Sequence, residues 1–172
     1  MIAICYATGS GHTRRLAGYV ADGAGGVLWD VEQPVDWDAL LAAKAIVFGA
    51  PTYMGSASAP FKAFMDATSA VWADQLWRDK IAGGFTTGSS TSGDKSSTLM
   101  QFATLAAQHG MIWVGQAEMS PPTADTELNA DGFWLGLAAT SSRDKSQLIT
   151  PADAQTARRY GMRIAEAVGR WG

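Results

Sequence analysis

Short runs of apolar residues alternate along the chain with longer segments in which apolar positions recur at helical spacing, the pattern of strands and helices taking turns around a parallel sheet. Five runs read as strands: Ile2 to Tyr6, Gly26 to Asp30, Ala45 to Gly49, Ile81 to Thr86 and Met111 to Gly115. None alternates regularly with polar residues, as expected of strands covered on both faces. Helices fit between them from about Thr13 to Asp22, from the cap residue Asp36 to Ala43, from Pro60 to Thr68, and from Ser96 to His109. A last helix opens at Thr150-Pro151-Ala152-Asp153, a cap followed by a first-turn proline and a carboxylate, and carries Ala157, Tyr160, Ile164 and Val168 on one face. The segment from Gln116 to Ser146 is polar but includes Phe133, Trp134, Leu135 and Leu137, so it reads as a long loop folded onto the body.

With no internal repeat or linker, the pattern predicts one α/β domain over residues 1–172. The expected architecture is a doubly wound, five-stranded parallel sheet of order 2-1-3-4-5 with helices on both faces. In such a sheet a ligand sits beyond the strand carboxyl ends, where the order reverses between the first and third strands. Three loops lie there.

Composition narrows the classes of partner. The 172 residues include 13 Lys and Arg against 16 Asp and Glu, a net charge of −3, so there is no basic field of the kind nucleic acid demands. A single cysteine, Cys5, and two histidines, His12 and His109, exclude an internal disulfide and an ordinary structural zinc site. No apolar run approaches membrane-span length and no basic leader precedes the first strand, so the expectation is a cytoplasmic protein without an integral membrane segment or a metal.

The first loop reads Thr8-Gly9-Ser10-Gly11-His12-Thr13 and leads into a helix. Hydroxyls and glycines at a helix N-terminus suit a phosphate, because unpaired N–H groups and the positive end of the dipole converge there. Hydrogen bonds to a charged group contribute roughly 1.5–3 kcal/mol each, so several neutral donors suffice without lysine. The ordinary alternative is a capped turn. A nucleotide P-loop is excluded because no Gly-Lys pair occurs. A dinucleotide fingerprint would put its third glycine where Arg14 stands, although Asp30 lies near the ribose position. A phosphatase loop starting at Cys5 would need arginine at position 11, which is glycine, and Cys5 reads as core.

The second loop, Gly49-Ala50-Pro51-Thr52-Tyr53-Met54-Gly55-Ser56, combines a rigid turn with two large side chains able to lie along a flat ring. It could equally be a turn with Tyr53 and Met54 facing the core. The third, Thr86-Thr87-Gly88-Ser89-Ser90-Thr91-Ser92-Gly93, is almost wholly small and polar and alone would pass for a linker. Together at one sheet edge the three match a phosphorylated, planar, hydrogen-bonding cofactor, a shape that FMN has.

These residues resemble the flavodoxin-like superfamily, and within it the WrbA-type NAD(P)H:quinone oxidoreductases. Thr8, Ser10, Gly11 and Thr13 match the flavodoxin phosphate pattern, and Gly11-His12 matches the WrbA-type Gly-His. Gly49-Ala50-Pro51-Thr52 is similar to the family's Gly-x-Pro-Thr, Trp72 to its tryptophan beyond the third helix, and Leu105 to Gly110 to its Leu-Ala-x-x-His-Gly segment. Asp131 to Ala139 is similar to its glycine-rich stretch before the last helix. Tyr53-Met54 stands where the family usually has arginine and an aromatic, and Asp94-Lys95 where it has Gln-Glu.

The resemblance implies that Thr8, Gly9, Ser10, Gly11, His12 and Thr13 hold the FMN phosphate. It implies that Pro51, Thr52, Tyr53, Met54 and Gly55, with Thr86, Thr87, Gly88, Ser89 and Gly93, surround the isoalloxazine. His109 would bond its pyrimidine end as the catalytic residue, while Tyr53 and Trp72 would meet substrate, Trp72 at a subunit boundary. Taken alone, His109 also reads as a helix cap, Trp72 as core, and His12 as a cap. The implied activity is ping-pong transfer of two electrons from NADH or NADPH through the flavin to a quinone, in a homodimer or homotetramer. The competing readings are a flavodoxin carrier without its own small-molecule substrate, and a fold that has lost its flavin. A serine hydrolase is excluded because G-x-S-x-G is absent.

Overall fold

A computed structural model describes residues 1–121, 126–144 and 146–171. Strand β1 (Ile2–Tyr6) leads through the first loop into helix α1 (His12–Ala24), followed by β2 (Val27–Asp30), α2 (Trp37–Ala42) and β3 (Ala45–Tyr53). A short β4 (Ser56–Ala57) precedes α3 (Ala59–Ala67) and α4 (Ser69–Ala73), and then come β5 (Ile81–Gly88), α5 (Lys95–Gln108), β6 (Ile112–Trp113), β7 (Leu137–Thr140) and α6 (Pro151–Trp171).

The main strands lie parallel in the order β2-β1-β3-β5-β6, which is the expected doubly wound order once β4 is set aside as a hairpin returning on β3. The alternate residues of β1 explain why it shows no polar face. Ile2, Ile4 and Tyr6 enter the core shared with α1 and α6, while Ala3 and Cys5 enter the core on the other side with Phe48, Phe61, Trp77 and Phe102. Cys5 is fully buried there, and burial pushes its thiol pKa far up.

The fifth strand differs from expectation. Only Ile112 and Trp113 of the expected Met111 to Gly115 pair with β5, at Ile81 and Ala82. The upper half of the same flank is filled by β7, which pairs with Phe85 to Gly88 from inside the segment expected to be loop. The strand position is thus split, with an excursion from Val114 to Gly136 leaving the sheet and returning. Leu137-Ala138-Ala139-Thr140 has too little bulk and no alternation to announce a strand. It pairs because β5 offers an open edge and because Gly136 packs against the Gly84 carbonyl, where a Cβ would come within 2.5 Å. Positions 122–125 and 145 of that expected loop lie outside the described residues.

Helices α1 and α6 pack side by side through glycine. A Cβ on Gly161 would fall 2.2 Å from the Val20 carbonyl oxygen, and one on Gly23 2.0 Å from that of Arg158. Because the obstacle is backbone, Gly161→Ala is expected to lower unfolding free energy by about 2–3 kcal/mol, read as a reduced denaturant midpoint. A midpoint equal to wild type would show that the helices separate freely. Among the described residues no helix is long and apolar enough to cross a membrane.

Candidate functional site

At the carboxyl edge of the sheet, between β1 and β3 where the order reverses, lies a cavity of about 370 Å³, a size typical of small-molecule sites. Three loops converge on it. Gly9, Ser10, His12 and Thr13 come from the first, Pro51, Thr52 and Tyr53 from the end of β3, and Thr87, Gly88 and Ser89 from the end of β5.

Helix α1 begins at Gly11, whose φ of 96° is natural only for glycine and whose lack of a side chain leaves the first turn without a cap from that position. The nearest substitute is Thr8, whose Oγ1 accepts from the Arg14 N–H at 3.3 Å. The first turn contains no acidic residue, so the positive end of the helix dipole is open toward the cavity. Ser10 Oγ lies 3.0 Å from His12 Nδ1, and His12 Nε2 lies 3.1 Å from the Ser142 carbonyl oxygen. A carbonyl only accepts, so Nε2 carries the hydrogen.

A chain of hydroxyls stiffens the opposite wall. Thr86 Oγ1 donates to the Ala50 carbonyl at 2.7 Å, Thr52 Oγ1 lies 2.8 Å from Thr86 Oγ1, and Thr98 Oγ1 lies 2.8 Å from Thr52 Oγ1. Since the Thr86 proton is committed to Ala50, the sequence of donors runs Thr98 to Thr52 to Thr86 to carbonyl. Nearby, Thr13 and Thr87 share a 2.8 Å hydrogen bond that ties the first loop to the third. At the end of β3 a two-residue turn, Met54 and Gly55, has φ of 50° and 76°, the primed geometry that a tight hairpin requires. It presents Met54 wholly to solvent. Tyr53 reaches back across the cleft with its hydroxyl over Gly9, where a Cβ would fall 2.0 Å from it.

Ten of the expected residues therefore line one cavity, and the remainder are placed elsewhere. Thr8 sits behind the loop, Gly11 lines a neighbouring groove with Arg14 and Arg15, and Thr86 is fully buried in the hydroxyl chain. Met54 and Gly55 form the outer turn, and Gly93 forms the turn before α5.

His109 is at the other end of the sheet. It caps the C-terminus of α5, and the following Gly110 carbonyl accepts from Asp79 N–H just before β5 begins. Trp72 is beside it, half-exposed on the rim of a cleft of about 220 Å³ that both residues line. Within one chain neither can touch a ligand in the main cavity, because a helix running antiparallel to the strands carries its last residue to their amino-terminal edge.

The His109 ring faces Trp77 at 4.6 Å between centroids, and its Nε2 lies 2.9 Å from Thr68 Oγ1. The Thr68 proton goes to the Met65 carbonyl, so His109 donates from Nε2. Its buried Nδ1 has no partner. A proton on Nδ1 would find no acceptor, and burial lowers the ring's pKa from the usual 6.5. Below that value the unfolded chain gains a proton that the folded chain resists, so stability falls as pH falls. His109→Phe, which keeps the contact with Trp77, is expected to flatten the decline in unfolding free energy between pH 7 and pH 5. An unchanged slope would remove His109 from the linkage.

Two features of the site had no sequence signal strong enough to find them. Ser141, Ser142 and Arg143 also line the cavity; they arrive there only because β7 completes the split strand. Lys95, fully buried, extends beneath Gly88 and bonds Asp131 Oδ2 at 2.9 Å and Thr140 Oγ1 at 3.0 Å. Thr140 also donates to Asp131 at 2.9 Å, and the Lys95 ammonium lies 5.1 Å from the centre of the Phe133 ring. Asp153, half-buried close by, has its carboxyl pKa raised by desolvation and by the Asp131 charge.

A doubly wound sheet with a nucleotide-sized cavity at its reversal, bounded by a glycine-hydroxyl loop at a helix N-terminus, defines a flavodoxin-like protein. The chain belongs to the family described as NADPH-dependent FMN reductase, which matches residues 37–125. It is 40% identical over 172 residues to "Flavodoxin FldP" of Pseudomonas aeruginosa (strain UCBPP-PA14), covering 94% of this chain and 93% of that protein. It is 29% identical over 154 residues to an "NAD(P)H dehydrogenase (quinone)" of Chromohalobacter salexigens, covering 90% of this chain and 74% of the relative. The crystal structure of a flavodoxin, WrbA-like protein from Agrobacterium tumefaciens superposes with a TM-score of 0.81 at 37% identity, covering 99% of this chain and 98% of the other. The chain thus stands within the flavodoxin-like superfamily, close to its WrbA-type members.

Proposed function

We propose that this chain is an FMN-dependent oxidoreductase that passes two electrons from NADH or NADPH to a quinone. The observation that carries the reading is the cavity itself. It joins a helix N-terminus whose cap residue is glycine, the Ser10 and Thr13 hydroxyls and a wall of Pro51, Thr52 and Tyr53 in one hollow, and among the described residues no carboxylate lines it to repel a phosphate. These residues fit FMN. Ser10, Thr13 and the loop N–H groups would hold the phosphate, while Pro51 to Tyr53 and Thr87 to Ser89 would border the ring.

Bound FMN would supply the redox chemistry, taking a hydride from the nicotinamide and yielding two electrons to the acceptor. The chain's own part is orientation. The hydroxyl chain through Thr52 and Thr86 holds the second and third loops together, and the Thr13 to Thr87 bond fixes the first loop against the third. No side-chain nucleophile is required.

His109 and Trp72 share the opposite edge, so any contact they make with flavin or acceptor is in trans, across a homo-oligomer that brings this edge to a neighbour's cavity. A second reading, an electron carrier, is favoured by the name flavodoxin carried by the 40% identical relative. Purified protein loaded with FMN and given NADPH and benzoquinone separates the two. The enzyme sustains NADPH oxidation over many turnovers, whereas a carrier stops when its flavin is reduced or never reacts.

A further inference from the structure

We propose that Arg143 is a phosphate-binding residue of this site, adding a guanidinium to the hydroxyl, imidazole and N–H groups already expected to meet the phosphate. The inference rests on the FMN-binding reading and extends it to a residue outside the three loops. Arg143 lines the main cavity together with Ser10, His12 and Thr13, and among the described residues it is the one permanently charged side chain of the lining. It is exposed, and among the described residues no carboxylate forms an ion pair with it.

The turn that carries Arg143 is built to stay at the cavity. Ser141 N–H donates to the Gly88 carbonyl at 2.8 Å, fastening the turn to the end of β5. Ser142 N–H donates to the Leu148 carbonyl at 2.9 Å, closing the turn on itself. The Ser142 carbonyl accepts from His12 Nε2, so the residue immediately before Arg143 is anchored to the first turn of α1. Asp144, the nearest carboxylate in sequence, is turned to Ser146, accepting from its N–H at 2.8 Å and its hydroxyl at 2.7 Å. Both bonds end on Asp144 Oδ1 and hold its pKa below the usual carboxylate value, and the carboxylate does not pair with Arg143.

A planar guanidinium suits a phosphate monoester, which it can meet with two parallel N–H bonds. Two ligands of this system carry such a group: the flavin through its 5′-phosphate, and NADPH through its adenosine 2′-phosphate. Both bring a dianion to the neighbourhood of the cavity, and the residue is assigned to that shared chemistry.

The test compares Arg143→Met with Arg143→Lys, and with Arg170→Met as a control that removes the same charge from the far end of α6. Affinities of the flavin-free protein are measured by fluorescence quenching for FMN and for riboflavin, which lacks the phosphate. KM is measured for NADPH and for NADH. If Arg143 grips the flavin phosphate, Arg143→Met weakens FMN about tenfold, equivalent to about 1.4 kcal/mol, and leaves riboflavin unchanged. If it grips the donor, FMN affinity holds and the preference for NADPH over NADH drops by a similar factor. Arg143→Lys recovers part of either loss, and Arg170→Met matches wild type. Arg143→Met with unchanged FMN affinity and unchanged donor preference overturns the assignment while leaving FMN binding in place. Failure of wild-type protein to bind FMN overturns both.

Discussion

Replacing Ser10 by alanine and Thr13 by valine together is expected to weaken FMN binding by about two to four orders of magnitude while riboflavin affinity changes little. Each hydroxyl lines the cavity at the α1 N-terminus, where turning from His12 or Thr87 it would donate to an anion, and bonds to charged groups contribute roughly 1.5–3 kcal/mol each. Two of them lost together give an effect of that size. The substitutions alter the native fold only modestly. Valine keeps the shape of Thr13, which is buried, but leaves the Thr87 hydroxyl without the partner it has at 2.8 Å, a cost of about 1 kcal/mol. Ser10→Ala removes only the bond to His12 Nδ1. Flavin titrations of the double variant, with circular dichroism to confirm folding, give the answer. Equal losses for FMN and riboflavin would place the phosphate elsewhere.

Lys95→Met is expected to cost about 3–5 kcal/mol of stability, the usual consequence of removing one partner of a buried ion pair. Lys95 has no exposed side-chain surface and Asp131 only 18%, so the carboxylate left behind is poorly hydrated, and Asp153 nearby adds like charge. The loss should be largely reversed in Lys95→Met with Asp131→Leu, because removing both charges removes the desolvation penalty with them. The aliphatic stem of Lys95 packs under Gly88, which lines the cavity, while its ammonium holds Thr140, the β7 partner of Gly88, so the single variant should bind FMN less tightly as the third loop loses that tie. Chemical denaturation of the single and double variants measures the first effect. A single variant as stable as wild type would show that the pair contributes no net stability.

Much of the architecture is legible in the chain because its strands are apolar runs bounded by turn residues. Ile2 to Tyr6 and Val27 to Asp30 fall where apolar continuity and flanking glycine place them. The reversal and its three loops then follow from strand order alone, which is why Gly9, Pro51 and Thr87 could be assigned to one hollow. What escaped was non-local. Strand β7 has only four residues, two of them alanine, and exists through its pairing with β5 across a long excursion. The cavity wall at Ser141 to Arg143 was hidden with it. Lys95 reads as an ordinary surface residue at a helix start, and only the returning excursion brings Asp131 to bury it.

His109 marks a different boundary. Motif likeness placed it at the flavin, whereas the direction of α5 carries it to the opposite edge, against Trp77 and Thr68. A motif preserves the identity of a residue without saying which copy of the chain it serves. His109→Ala in a monomer would therefore act through stability alone.

The most direct test is a crystal structure of the protein soaked in FMN. The account predicts electron density for the phosphate at the N-terminus of α1, within hydrogen-bond distance of Ser10 Oγ and Thr13 Oγ1, with the ring between Tyr53 and the Thr87 to Ser89 loop. A cavity that stays closed by Tyr53 over Gly9 at saturating FMN, or a flavin bound at another surface, would contradict it.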